Sequence, residues 1–169
     1  MTEWNQVKLS ELLTIEINRE VNRMANEYVD QLSIFLENKE GRLLNTLDII
    51  EKLGINIRAL SIADTSEFGI LRLIVTDPIA VKEKLEENDF IVKITKVLAV
   101  AINDEPGGLN KVLRVLDDNN INLEYLYAFV EQKTYNAIVI LKLENMEEGL
   151  KILKEGNSEI ISSEDIYSM

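Results

Sequence analysis

The apolar residues of this chain change period several times along its length, and each change marks an element. Over residues 1–30, Leu9, Leu12, Leu13, Ile17, Val21, Met24 and Tyr28 fall at helical spacing, which predicts one amphipathic helix. From Gln31 the period drops to two: Leu32, Ile34 and Leu36 alternate with more polar residues, as a strand requires. Leu43, Leu44, Leu47, Ile50 and Leu53 then form a helical stripe after Gly41, closed by Gly54. Residues 57–63 and 68–75 read as strands around a turn. Asp77 and Pro78 open a second helix carrying Val81 and Leu85, and residues 90–94 read as a fourth strand.

The same order then returns. The segment from Leu36 to Leu43 is echoed by the segment from Ile102 to Leu109, with Gly41 and Gly107 in register 66 positions apart (107 − 41). Strands are expected at 97–103, 123–131, 134–143 and 159–162, with helices at 107–119 and after Asn145. The string strand, helix, strand, strand, helix, strand, met twice, predicts an α+β protein of two ferredoxin-like βαββαβ units packed together. The expected division is a helical extension over 1–30, a first unit over 31–96 and a second over 97–169. Such a sheet has helices on one face only, yet Ile70 and Ile74 oppose Leu71, Leu73 and Val75, and Ile138 and Ile140 oppose Val139 and Leu141. The second face therefore needs a cover, and the N-terminal helix and a second protomer are the two candidates.

Composition narrows the chemistry. Eighteen basic against thirty acidic side chains leave a net charge of −12, which disfavours nucleic acid and anionic membrane surfaces as partners. The longest apolar run, 97–102, is far too short to span a bilayer, so a cytoplasmic protein is expected. With no cysteine and no histidine, disulfides, thiolate metal sites and the commonest general base are unavailable. No phosphate-loop or dinucleotide glycine spacing occurs, no catalytic constellation emerges, and no cofactor is implied.

One loop carries candidate chemistry. Asn103 and Asp104 end a predicted strand, and Pro106, Gly107 and Gly108 lead into a helix. Unsatisfied N–H donors at a helix start favour a carboxylate, while the side-chain oxygens of Asn103 and Asp104 suit an ammonium group. A plainer reading has Asp104 serve the turn and the glycines permit close helix packing.

The stretch from Asn103 to Leu109 resembles the signature of ACT domains, small regulatory modules of this predicted fold that commonly bind free amino acids. The resemblance covers about residues 31–167 and is closest to stand-alone proteins made of two ACT domains. It implies a loop of Asn103, Asp104, Gly107, Gly108 and Leu109 that holds an amino-acid backbone, with Leu60, Ser61 and Ile62 as the side-chain wall. The first unit departs from the signature, with Glu40 in place of Pro and Arg42 in place of the second glycine. Its loop would be Asn38, Gly41, Arg42 and Leu43, its wall Tyr125, Leu126 and Tyr127, and Arg42 is either a carboxylate clamp or a solvated helix-start residue. The implied function is a non-enzymatic sensor that binds a free amino acid between its units, as a homodimer with a regulated enzyme as a further partner. The alternative is a protein assembly module with a vestigial pocket.

Overall fold

The computed structural model describes residues 26–64, 68–130 and 136–169. Nearly all of the helix expected over residues 1–30 lies outside them. The order is β1 (Val29–Glu37), α1 (Arg42–Lys52), β2 (Ile57–Asp64), β3 (Phe68–Val75), α2 (Pro78–Glu86) and β4 (Ile91–Asn103). It continues with α3 (Gly108–Asp117), β5 (Leu123–Val130), β6 (Asn136–Leu143), α4 (Met146–Glu155), β7 (Glu159–Ile161) and α5 (Ser163–Ser168). The strands form one seven-stranded sheet of order β2-β3-β1-β4-β6-β5, with β7 on β4. All pairings are antiparallel. This is the expected α+β architecture.

A single strand joins the two units where two were expected. The first half of β4 pairs with β1, from Ile91 opposite Phe35 to Val97 opposite Val29, and its second half pairs with β6 and β7. Thr95 and Lys96 interrupt the apolar pattern but not the ladder. Lys96 stands opposite Asp30, and its Nζ lies 2.8 Å from the Asp30 Oδ1.

The duplication extends to individual backbone hydrogen bonds. In the first unit the amides of Lys39, Arg42 and Asn45 donate to the carbonyls of Glu37, Lys39 and Gly41. In the second, the amides of Glu105, Gly108 and Lys111 donate to Asn103, Glu105 and Gly107, each residue 66 positions later. Beyond the β-hairpins the offset is 68: Phe90 N–H donates to the Leu85 carbonyl and Ser158 N–H to that of Leu153. Two extra residues in the second hairpin account for the change.

Alternation along the strands builds three apolar clusters. Leu32, Ile34, Leu71, Leu73, Ile50 and Leu85 fill the space under α1 and α2. Leu98, Val100, Val139, Leu141, Leu116 and Leu153 do the same under α3 and α4. The third cluster lies on the helix-free faces, and nearly all of the N-terminal helix expected there lies outside the described residues. Ala59 and Ile74 of the first unit pack with Ala99, Ile138 and Ile140 of the second, so the two halves of the sheet cover part of each other. Among the described residues α5 adds to that cover, its Ile166 fully buried there. The sequence reading had missed α5, although Ser162 three residues before Asp165 is a capping signal; Ser162 Oγ accepts from the Asp165 amide at 3.1 Å.

Candidate functional site

Each unit enters its first helix through a glycine in the left-handed region, Gly41 at φ 77° and Gly107 at φ 90°. A residue with a Cβ is strained there, which is why both copies keep glycine. The turn folds the strand end back over the helix start, so Asn103 and Gly108 are brought together. A Cβ on Gly108 would lie 2.2 Å from the Asn103 carbonyl oxygen. Gly108 thus permits a close approach of backbone to backbone. Arg42, its equivalent, has a side chain, and the matching turn is looser: the Arg42 amide lies 3.3 Å from its acceptor against 3.0 Å for Gly108.

The second-unit turn leaves donors free. The Gly108 amide is used by the Glu105 carbonyl, but among the described residues the amides of Gly107, Leu109 and Asn110 have no protein acceptor. Three free donors within four residues of a helix start are the elements of an anion site. Beside the turn lies a cleft of about 310 Å³ lined by Asn103, Gly108, Lys111, Val115, Ser158 and Glu159, among others. That is at the lower end of the range for small-molecule sites. Lys111 Nζ sits 2.8 Å from Glu105 Oε1. Hydrogen bonds from Lys111 first, and from the Asn103 side chain next, hold the exposed Glu105 carboxyl below the usual carboxylate range. The turn therefore carries backbone donors, one lysine and the carboxylates Asp104 and Glu105 within a few residues, a mixed set able to meet both ends of a zwitterion.

The first-unit turn is different in chemistry. The Arg42 side chain is part-exposed. Its guanidinium carbon lies 4.5 Å from the Phe90 ring centroid, and its Nε is 3.8 Å from Glu37 Oε2. A smaller cleft of about 170 Å³ adjoins this turn, bounded by Leu36, Asn38, Lys39, Leu43, Ile62 and Gly69, among others.

Within one chain the loops are not brought to the walls that the sequence reading assigned them. Ile62 lies beside its own unit's turn, with Asn38 and Leu43, and neither it nor Leu60 or Ser61 lines the cleft at Gly108. Tyr125 and Tyr127 meet Gln31 in mid-strand instead of the Gly41 turn. Gln31 is fully buried; its Nε2 donates to the Tyr125 hydroxyl and its Oε1 accepts from the Tyr127 hydroxyl, both at 3.0 Å. The Arg72 guanidinium carbon stacks 4.0 Å from the Tyr125 ring centroid, and Leu126 packs into the second unit's core. The reading also missed Lys111 and Ser158. Lys111 falls one helical turn after Gly107 and was within reach of periodicity, whereas Ser158 arrives from the far end of α4 with no local signal. Among the described residues no cluster of acidic side chains could hold a metal ion, and no helix is long and apolar enough to cross a membrane.

The sequence pattern described as an ACT domain pair matches residues 27–169. The crystal structure of protein BT0572 from Bacteroides thetaiotaomicron is 38% identical, with a TM-score of 0.80 over 85% of this chain and 98% of that one. The ligand-free regulatory subunit of aspartate kinase from Thermus thermophilus shares the fold at 12% identity, with a TM-score of 0.54 over 78% of this chain and 93% of that one. No curated protein matches.

Proposed function

The chain belongs to the ACT domain pair family, and from that premise we propose that it is a non-enzymatic sensor that binds a free amino acid at the turn between β4 and α3. The observation that carries this reading is the set of free amides at Gly107, Leu109 and Asn110 in a turn whose Asn103 and Gly108 line a cleft of about 310 Å³. In this reading the amides hold the ligand carboxylate, Asp104 with the Asn103 side-chain oxygen accepts from its ammonium group, and the cleft takes its side chain. The first-unit turn, with its cation already over Phe90, is the weaker of the two. The protein works in the cytoplasm and passes its ligand state to an enzyme partner.

The energetics are undemanding. An amino acid of about ten non-hydrogen atoms reaches micromolar affinity, about −8 kcal/mol, well within known ligand efficiencies. The test is isothermal calorimetry with a panel of free amino acids against folded full-length protein. At least one is expected to bind, and Asp104→Ala is expected to weaken it more than tenfold, about 1.4 kcal/mol, with an unchanged melting temperature because Asp104 is exposed. A folded protein that binds no member of the panel overturns the proposal, and an Asp104→Ala affinity equal to wild type removes the site from this turn.

A further inference from the structure

The helix-free face of the first unit carries an uncovered apolar row. Toward the Gly41 turn, Ile91 of β4, Phe35 of β1 and Ile70 of β3 stand opposite one another in register, and Ala63 of β2 continues the row. Phe35 is 43% and Ile91 73% exposed, and the Phe68 ring widens the patch, its centroid 5.0 Å from that of Phe35. Strands spaced about 4.8 Å apart make the row about 14 Å long.

The next row along the same face is cationic. Lys93 and Arg72 both stand opposite Ser33, two residues from Ile91 and Ile70. Lys93 is exposed, and among the described residues neither cation has a carboxylate partner; Arg72 lies over the Tyr125 ring instead. Glu37, two residues beyond Phe35, is already paired with Lys39 at 3.1 Å. Unneutralised cations beside an apolar row stand out in a chain of net charge −12.

The duplication shows that the fold demands neither row. Positions 66 apart before the hairpins and 68 apart after them are equivalent, so Phe35 and Ile91 are matched by Ala101 and Glu159, which stand opposite one another in β4 and β7. Arg72 and Lys93 are matched by Ile140 and Ile161, which pack in the third cluster. The two units thus exchange apolar and polar positions: the second turns its apolar residues inward, and the first presents its own to water.

We propose that this patch binds an acidic amphipathic helix of a partner protein, the apolar stripe of the helix laid along the row and its carboxylates on the flank that meets Lys93 and Arg72. A helix about 10 Å wide and about three turns long covers the row, with apolar residues at i, i+3 or i+4, and i+7. A second copy in a two-fold contact brings the same two cations and supplies them no carboxylate. The chain's own N-terminal segment joins on the wrong side: Glu27 pairs with Lys154 of α4 and Tyr28 packs into the second cluster under the helices, whereas the patch lies on the opposite face at the far end of β1.

Fluorescence anisotropy on the full chain tests this, with two synthetic helical peptides that share one leucine stripe, the first flanked by glutamates and the second by lysines. The glutamate peptide is expected to bind with a micromolar dissociation constant, at least tenfold tighter than the lysine peptide, and more weakly as salt is raised. Because the net charge of −12 attracts the lysine peptide everywhere else, a preference for glutamate is local to the two cations. The pair Phe35→Ala with Ile91→Glu installs the residues that the second unit carries at the same places, so it is expected to fold, by circular dichroism, and to weaken binding at least tenfold. Lys93→Glu is expected to reverse the preference between the peptides, and Leu44→Asn, on the helix side, to change nothing. Absence of binding, equal affinity for the two peptides, or binding that ignores the double substitution overturns the proposal. So does either competing occupant: binding seen only after residues 1–25 are deleted assigns the patch to that segment, and a wild-type oligomer dissociated by the double substitution assigns it to a second copy.

Discussion

Tyr127 shows how single residues tie the two units together. Its hydroxyl donates to Oε1 of the fully buried Gln31 in the neighbouring unit. Burial above all, with the Tyr125 phenol as a second cause and Arg72 opposing, pushes the Tyr127 phenol far above its ordinary 10.0. Burial likewise raises Tyr28 and Tyr167. The sign of the consequence is fixed: a group whose pKa is higher in the folded state contributes stability in full below its unfolded value and loses it as pH rises through the folded one. Denaturant midpoints are therefore expected to hold up to about pH 9 and fall steadily above pH 10, the ordinary phenol value. Tyr127→Phe is expected to lower the midpoint at pH 9, by leaving Gln31 Oε1 unpaired, and to make the alkaline fall shallower. A midpoint that does not change between pH 9 and 11.5 contradicts this account of the buried phenols.

At the level of elements, what was legible in the sequence depended on local signals. The helix α1 announced itself by apolar period and by glycines at both ends, α3 by the glycines before it, α2 by Asp77 and Pro78, and α4 by Asn145, whose side chain does accept from the Glu148 amide. Two features escaped for physical reasons. Thr95 and Lys96 look like a break, but the partner strand continues past them, and pairing decides whether a strand goes on. Helix α5 is only six residues long, and the burial of its Ile166 depends on packing with residues distant in sequence, which no local pattern reveals. The candidate site divides the same way: the loop residues were legible because the turn is local, and the facing walls were not because they depend on how the sheets meet. The turn also gives a graded prediction. Gly108→Ala places a methyl on the Asn103 carbonyl, and relief requires the looser geometry that the Arg42 turn adopts. The expected cost is about 1–3 kcal/mol of unfolding free energy, seen as a lower urea midpoint with an unchanged m-value. A fully neutral Gly108→Ala would mean the close approach is not a constraint.

On the scale of the whole molecule, one gene duplication has produced two units of the same backbone with different surfaces. The second keeps the tight glycine turn beside the larger of the two turn clefts; the first, whose Gly41, Leu43 and Leu44 amides are equally without a protein acceptor among the described residues, has an arginine in its turn and exposes apolar side chains. The two copies thus differ in surface chemistry and are joined by the shared strand β4 and the buried contacts of Gln31. A ligand at the second turn must bind two states of the assembly with different affinity to act as a signal. The most direct measurement of the sensing claim is an amide-resolved NMR titration with the amino acid that calorimetry selects. The Gly107, Leu109 and Asn110 amides are expected to shift together with one dissociation constant, more than their first-unit equivalents Gly41, Leu43 and Leu44. Saturable shifts confined to other parts of the chain, with these three amides unmoved, would contradict the account.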